Sequence, residues 1–443
     1  MPMRAPMTGF CEAIGTWGAQ AVFPNRARDE ARLSVLDTFG CILAGWDERQ
    51  VVAAKAAFEG HPSAMTCALT LGTAAHALDF DDYEVPGSTH PSAPILGALL
   101  GLMSEHPHRI DRLLDAYLAG YEAIVRLGER LSYSHYNAGW HSTGTLGAVG
   151  AAAGCARLLG ASQAQFAHAI AISSSLASGL KTQFGSDAKA LHAGFAARAG
   201  IEAALLARAG AEGNCGAFEG PYGFLEIHHG PTEPAIRSKA GQRLGLEEYS
   251  VLRKPWPSCA YTHRVIDAAL RLSARVETGQ RIEKITLKMP EPFFRVAGFI
   301  TPTTSNEARF SATYCVVAAL LDGEIGPDSF CEDMYLRDDI TALLGKTDVE
   351  TYHPGPDLQD MSPEHPDCVA ICLSDGTEIS ETSWHVRGGA EAPLTRDDLS
   401  NKFITCGGTE ATRDLILYGD GSAMLTLSTE TPMPSLSLAQ DTI

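Results

Sequence analysis

Residues 189–208 read KALHAGFAARAGIEAALLAR, and this run decides the fold. From Leu191 to Arg208 it is helical in composition, yet small residues crowd it, with Ala193, Gly194, Ala196 and Ala197 in five positions. A glycine inside a helix costs about 1 kcal/mol relative to alanine. Such density therefore implies backbones packed closely in the middle of a bundle. A second segment of this kind is Gly144–Leu159 (GTLGAVGAAAGCARLL), with Gly147, Gly150 and Gly154. These two helices are expected at the centre.

Working outward, residues 8–208 read as successive amphipathic helices. Leu33, Leu36, Phe39 and Leu43 recur at three- and four-residue spacing, as do Ile110, Leu113, Leu114, Tyr117, Leu118, Tyr121 and Ile124. Ala209–Gly230 loses that period and carries five glycines before residue 224, which predicts a long loop approaching the core or the site. After Lys254-Pro-Trp-Pro the texture changes. Glu283–Met289 alternates as a strand, and Asp367–Leu373 with Glu378–Trp384 reads as a hairpin around an Asp-Gly turn. Glu307–Leu321 and Leu336–Leu344 read as helices between them, and Leu394–Phe403 as a helix returning to the first domain. The predicted fold is mainly α, a large helical domain from residues 1–255 and 393–443 with a smaller α+β lid domain, 256–392, inserted. A chain of 443 residues is long enough for two cores.

Charge narrows the function. With 34 Lys+Arg against 53 Asp+Glu the net charge is −19, which argues against a nucleic-acid or anionic-membrane binder, since both need a basic surface. Only nine cations are lysine, so a lysine inside a polar, glycine-rich motif stands out. The eleven cysteines are odd in number, scattered and without C-x-x-C. That speaks against a disulfide framework, a zinc ribbon or a cysteine-ligated iron–sulfur site. Residues 1–18, MPMRAPMTGFCEAIGTWG, contain no apolar h-region, and the apolar run Pro94–Met103 is about half of a membrane span. The expectation is a cytoplasmic protein.

Five constellations can carry chemistry. The first, His76-Ala-Leu-Asp79-Phe-Asp81-Asp82-Tyr83-Glu84 with His90-Pro-Ser92, puts four carboxylates and two imidazoles within fifteen residues. Burying them requires pairing, because an unpaired buried charge costs several kcal/mol. A solvated loop, an Asp79-tuned histidine base and an Asp/His metal site all fit these residues. The second is Trp140-His141-Ser142-Thr143-Gly144, at a helix start that suits a carboxylate. The third is Lys189-Ala-Leu-His192-Ala-Gly194, where a scarce lysine precedes the second small-residue helix. The fourth is Lys254-Pro-Trp-Pro-Ser-Cys259-Ala-Tyr-Thr-His263-Arg264, whose prolines fix the backbone where the domains should meet and where ligand clefts are common. The fifth is Glu307-Ala-Arg309-Phe-Ser311-Ala-Thr-Tyr314, which sets Ser311 and Tyr314 within one helical turn.

Taken in order, H-A-L-D-F-D-D, G-W-H-S-T-G-T-L-G, A-K-A-L-H-A-G-F-A-A-R, K-P-W-P-S-C and E-A-R-F-S-A-T-Y with L-L-D-G resemble the MmgE/PrpD family over about residues 10–430. That family includes 2-methylcitrate dehydratase, cis-aconitate decarboxylase and iminodisuccinate epimerase. The resemblance implies a homodimer, no metal or organic cofactor, and a small di- or tricarboxylate substrate attacked beside a carboxylate. It maps the family's site onto Asp79, His90, His141, Lys189, Lys254 and Tyr314; with Lys254 as a substrate-binding residue, the helix start adds Ser142 and Thr143 and the domain junction adds His263 and Arg264 as further binding candidates. The expected roles are His90, oriented by Asp79, for proton transfer; Lys189 and Lys254, assisted by His141, for the developing charge; and Tyr314 from the lid for a departing hydroxyl. The first expectation is a hydro-lyase of the 2-methylcitrate dehydratase kind. A decarboxylase, an epimerase and a non-catalytic carboxylate-binding protein are the alternatives.

Overall fold

The computed structural model describes residues 9–105, 108–229, 243–355, 359–420, 424–427 and 434–437. Nine helices build the first part: α1 Phe10–Gln20, α2 Asn25–Gly45, α3 Arg49–Ala57, α4 Ala64–His76, α5 Ser92–Met103, α6 Ile110–Asn137, α7 Ser142–Leu158, α8 Gln163–Ser173 and α9 Asp187–Arg208. The two small-residue helices, α7 and α9, pack on each other and on α4, α5 and α6. Contact is close enough to explain their composition. A Cβ on Gly194 would stand 2.3 Å from the Leu69 carbonyl oxygen, and one on Gly200 2.4 Å from the Ala151 methyl. Leu36, Phe39, Leu99, Ile124, Val149 and Ile201 share the resulting core.

The segment after α9 is a loop that approaches the core. Phe218 and Phe224 insert into the helical core, and a short helix, α10 Phe224–Ile227, interrupts it. Gly230 lies outside the described residues. The chain passes α11 Gly245–Tyr249 and enters the lid, which gathers its own core around Ile266, Leu287, Val317 and Val369.

The lid sheet has the order β3-β2-β4-β5, from β2 Ile282–Pro290, β3 Thr347–Tyr352, β4 Asp367–Leu373 and β5 Glu378–Ser383. β4 pairs antiparallel with β2 and β5, the hairpin expected around Asp375-Gly376, while β3 adds to β2 in parallel. Asp367, Val369, Ile371 and Leu373 alternate inward, so one face is covered. Helices α12 His263–Ser273 and α17 Asp338–Leu344 contact these strands, the short α13 Glu291–Phe294 and α16 Glu332–Tyr335 lie between, and α14 Ser305–Arg309 and α15 Ala312–Asp322 replace the single helix expected over 307–321. The break is a cap: Ser311 Oγ accepts a bond of 3.0 Å from the Tyr314 N–H.

Two helices, α18 Arg396–Thr405 and α19 Glu410–Tyr418, return to α2. Strand β1, His108–Arg109, pairs with β6, Met424–Leu427, which pairs with β7, Pro434–Ser437. No described helix is long and apolar enough to cross a membrane.

Candidate active site

The site begins with the strap between α4 and α5. Its carboxylates are buried, and each finds a partner. Asp81 Oδ2 lies 2.7 Å from His76 Nδ1; Asp82 accepts the Ser92 hydroxyl at 2.5 Å; Glu84 accepts the Gly87 N–H at 3.0 Å. With no cation in bonding contact, burial pushes Asp82 up to about 7 and Glu84 up to about 8, so both hold protons where ordinary carboxyls have lost them. Asp79 is different. It sits at φ 52°, a left-handed conformation costly for a residue with a Cβ and typical of functional sites.

That conformation turns one Asp79 oxygen toward two lysines from distant segments. Lys189, in the first turn of α9, donates to Asp79 Oδ1 at 2.7 Å; Lys254 donates to the same oxygen at 3.0 Å and to the Asp79 carbonyl at 2.8 Å. Burial alone would raise Asp79, but the two ammonium groups outweigh it and hold the carboxyl well below its usual range. Two ammonium groups thus converge on one carboxylate oxygen. A third lysine braces the arrangement from the C-terminal return. Lys402 on α18 donates to the carbonyls of Phe80 at 2.7 Å and Lys254 at 3.0 Å while pairing with Asp37 at 2.7 Å.

Beside this cluster lie two imidazoles. His90 Nε2 is 3.6 Å from Asp79 Oδ1 and its Nδ1 is 3.5 Å from Asp81 Oδ1; its backbone N–H donates to Thr143 Oγ1 at 3.2 Å. His141 caps α7 and faces His76, with ring centroids 5.5 Å apart. Burial, and then the nearby cations, hold both rings well below the ordinary histidine range, so they are neutral at pH 7. Asp79, His90, His141 and Lys189 line a narrow cavity of about 20 Å³. Asp79, Tyr83, Ser88, His90, Tyr136, His141, Phe184 and Lys189 form the helical wall, and Cys259, Ala260, Tyr261 and Phe310 the lid wall.

The structure thus brings together Asp79, His90, His141, Lys189 and Lys254, with Thr143 supporting His90 and Ser142 buried at the start of α7. It corrects the expectation for three others. Tyr314 Oη donates to the Ser329 carbonyl and packs on Phe330 inside the lid core, so it is not available to a substrate. Arg264 grips both oxygens of Asp367 at 3.1 and 3.2 Å, a buried structural pair. His263 Nε2 is 3.2 Å from the Ser258 carbonyl, and its ring rests on Trp256. Asp79 is likewise engaged by lysines rather than hydrogen-bonded to His90, which lies beyond bonding distance.

Four participants escaped the sequence reading as site residues. His76 and Asp81 stood in the first motif and His192, 2.9 Å from His141, in the third; their residue types were the signal. Asp360 had none, lying in an unpatterned lid loop. It accepts hydrogen bonds from the hydroxyls of Tyr83, Ser88 (2.7 Å) and Tyr261 (2.9 Å). His76, Asp79, Asp81 and His90 also bring metal-type donor atoms within 4.8 Å of one another. A divalent cation there would compete with two ammonium groups already on Asp79, so the set is poorly matched to one.

A family model described as the MmgE/PrpD N-terminal domain matches residues 19–237, and one described as the MmgE/PrpD C-terminal domain matches residues 256–414. The cis-aconitate decarboxylase of Mus musculus is 31% identical over 358 residues, 78% of this chain and 72% of that protein. That of Homo sapiens is 30% identical over 344 residues, 75% and 70% of the two chains. A cis-aconitate decarboxylase of Aspergillus terreus is 25% identical over 445 residues, 91% and 90%.

Proposed function

This chain belongs to the MmgE/PrpD family, and on that premise we propose that it is a carboxy-lyase acting on a small unsaturated tricarboxylate of the cis-aconitate kind. The observation that carries the reading is the Lys189–Asp79–Lys254 cluster beside two neutral imidazoles at a narrow cavity. The names of the relatives favour decarboxylation over the dehydration first expected. So does Tyr314, whose hydroxyl is committed to Ser329 and is no acid for a leaving hydroxide.

The chemistry follows from charge. When a carboxylate leaves as CO2, its bonding pair forms a new double bond, and the old double bond's pair moves to the carbon beside another carboxylate. Negative charge then accumulates on a group that is already an anion. Fixed cations in a site with little water stabilise that dianion without reorganising, and Lys189 and Lys254 supply them. Binding a trianion also raises the pKa of nearby imidazoles. One of His90 and His141 then takes up a proton with the substrate and delivers it to carbon; the other donates a hydrogen bond to the developing dianion. Each turnover consumes one proton and releases one CO2. No step calls for a metal.

Incubation with cis-aconitate, 2-methylcitrate and iminodisuccinate in D2O, followed by NMR with CO2 detection, tests this. The expected outcome is CO2 release from cis-aconitate with one deuterium in the product. Water loss from 2-methylcitrate alone would make it a hydro-lyase, deuterium exchange without bond cleavage an epimerase, and no turnover at all a carboxylate-binding protein.

A further inference from the structure

Behind the helical wall, two histidines meet through the same kind of nitrogen. His141 Nδ1 lies 2.9 Å from His192 Nδ1, with ring centroids 5.1 Å apart. His192 stands three residues after Lys189 on α9, on the same helix face. The His141 backbone N–H donates to the Gly179 carbonyl at 3.0 Å, and Gly179 has φ 148°. A Cβ there would come within 3.3 Å of His192 Nδ1 and 3.4 Å of His141 Cβ, so a glycine keeps the pair in contact. The meeting is built by two central helices and a bare turn.

Between two such nitrogens only one proton fits, so one ring donates and the other accepts. The choice decides what His141 offers the cavity, because its Nε2 is buried and makes no hydrogen bond among the described residues. His141 is 1% exposed and His192 8%, which leaves the second ring closer to solvent. The charged and titratable groups felt by His192 are His141, His76 and Lys189; burial and then His76 and Lys189 push it down to about 4, so it enters the pair neutral.

We propose that His192 is the positioning residue for His141: its Nδ1 accepts the His141 Nδ1–H and so fixes the tautomer whose Nε2 lone pair faces the cavity. This deepens the decarboxylase reading and rests on it for its catalytic consequence. As the anionic substrate binds, His141 Nε2 takes up one proton (H3O+) from bulk solvent and the ring becomes an imidazolium whose Nδ1–H stays on His192. As the C–C bond breaks and CO2 leaves, the displaced electron pair takes the Nε2 proton and forms a C–H bond. His141 returns to the neutral Nδ1–H tautomer, ready for another proton from solvent. His192 neither gains nor loses a proton, in the manner of the orienting acid in a catalytic triad.

The experiment compares His192→Leu, which has no acceptor, with His192→Asn, whose Oδ1 can stand where Nδ1 does. With cis-aconitate the Leu variant is expected to lose about a hundredfold in kcat with little change in KM, and Asn to recover to within several-fold of wild type. Equal losses in both variants, or none in Leu, would overturn the proposal. The 15N shifts of the His141 ring in the unliganded protein give a second readout. Wild type should show Nδ1–H, and Leu a shift toward Nε2–H; an unchanged tautomer in a folded Leu variant sinks the assignment. Absence of wild-type turnover would remove the decarboxylase reading alone, and the 15N measurement would still decide the pairing.

Discussion

The two walls of the cavity differ in kind. The helical wall carries the ionic and titratable groups, with Asp79 between Lys189 and Lys254 and with His90 and His141 alongside. The lid wall carries a thiol, with an aromatic ring and a phenol of kinds the helical wall also has in Phe184, Tyr83 and Tyr136, but no ionic group among the described lining residues; the nearby lid carboxylate Asp360 is held by hydroxyls rather than cations. Accordingly, cations hold Asp79 well below the ordinary carboxyl range, while burial raises Asp360 against its three hydroxyl partners. On the proposed function the contrast separates labour: the helical wall is to supply a preorganised charge arrangement, and the lid shape and closure. Variants on either wall can break that division.

Lys189→Ala should have the largest effect, about a thousandfold in turnover, in line with removal of a preorganised charge partner. Asp79 would keep Lys254, so circular dichroism and thermal unfolding should report a folded protein. A loss under tenfold would mean that the helical wall does not stabilise the developing charge. His90→Asn comes next, at about a hundredfold in kcat with KM nearly constant, because its proposed work lies in the chemical step. A change confined to KM would move His90 to substrate binding.

The strap that supplies this wall also has a pH signature. Folded Asp82 keeps its proton to about pH 7, whereas the unfolded chain releases it near 3.8. Folding therefore binds a proton in that window. The stability it contributes is full below about pH 4 and is lost as pH rises toward 7, at about 1.4 kcal/mol per unit. Denaturant midpoints for Asp82→Asn, compared with wild type at pH 5 and pH 8, should favour the variant more at the higher pH. A difference independent of pH would show that Asp82 is ionised in the fold.

Much of this was legible before any coordinates. Glycine and alanine density in Gly144–Leu159 and Leu191–Arg208 marked the central helices, because only close backbone approach tolerates so many missing side chains. Scarce lysines marked Lys189 and Lys254, which reach one oxygen from positions 65 residues apart in sequence. Tyr314 misled because helical spacing does not say which face meets the core, and here one helix ends at Arg309 and Ser311 caps the next. The strand Thr347–Tyr352 went unread because its partner is parallel and remote, with no turn to announce it. Asp360 was invisible for a similar reason: its three donors lie on Tyr83, Ser88 and Tyr261, more than 90 residues away.

Asp360 therefore offers the smallest and most discriminating test. It draws two hydroxyls of the helical strap, on Tyr83 and Ser88, and one of the lid, on Tyr261, to a single carboxylate, so it ties the walls together at the cavity edge. Met361 beside it has φ 55°, a strained conformation that persists only where its surroundings hold it. If the lid supplies closure and not charge, Asp360→Ala should loosen substrate binding while leaving the chemistry intact. KM is then expected to rise about tenfold, equivalent to about 1.4 kcal/mol, with kcat within a few-fold of wild type. A hundredfold fall in kcat at constant KM would instead give the lid carboxylate a part in the reaction, and the two walls would no longer divide the work.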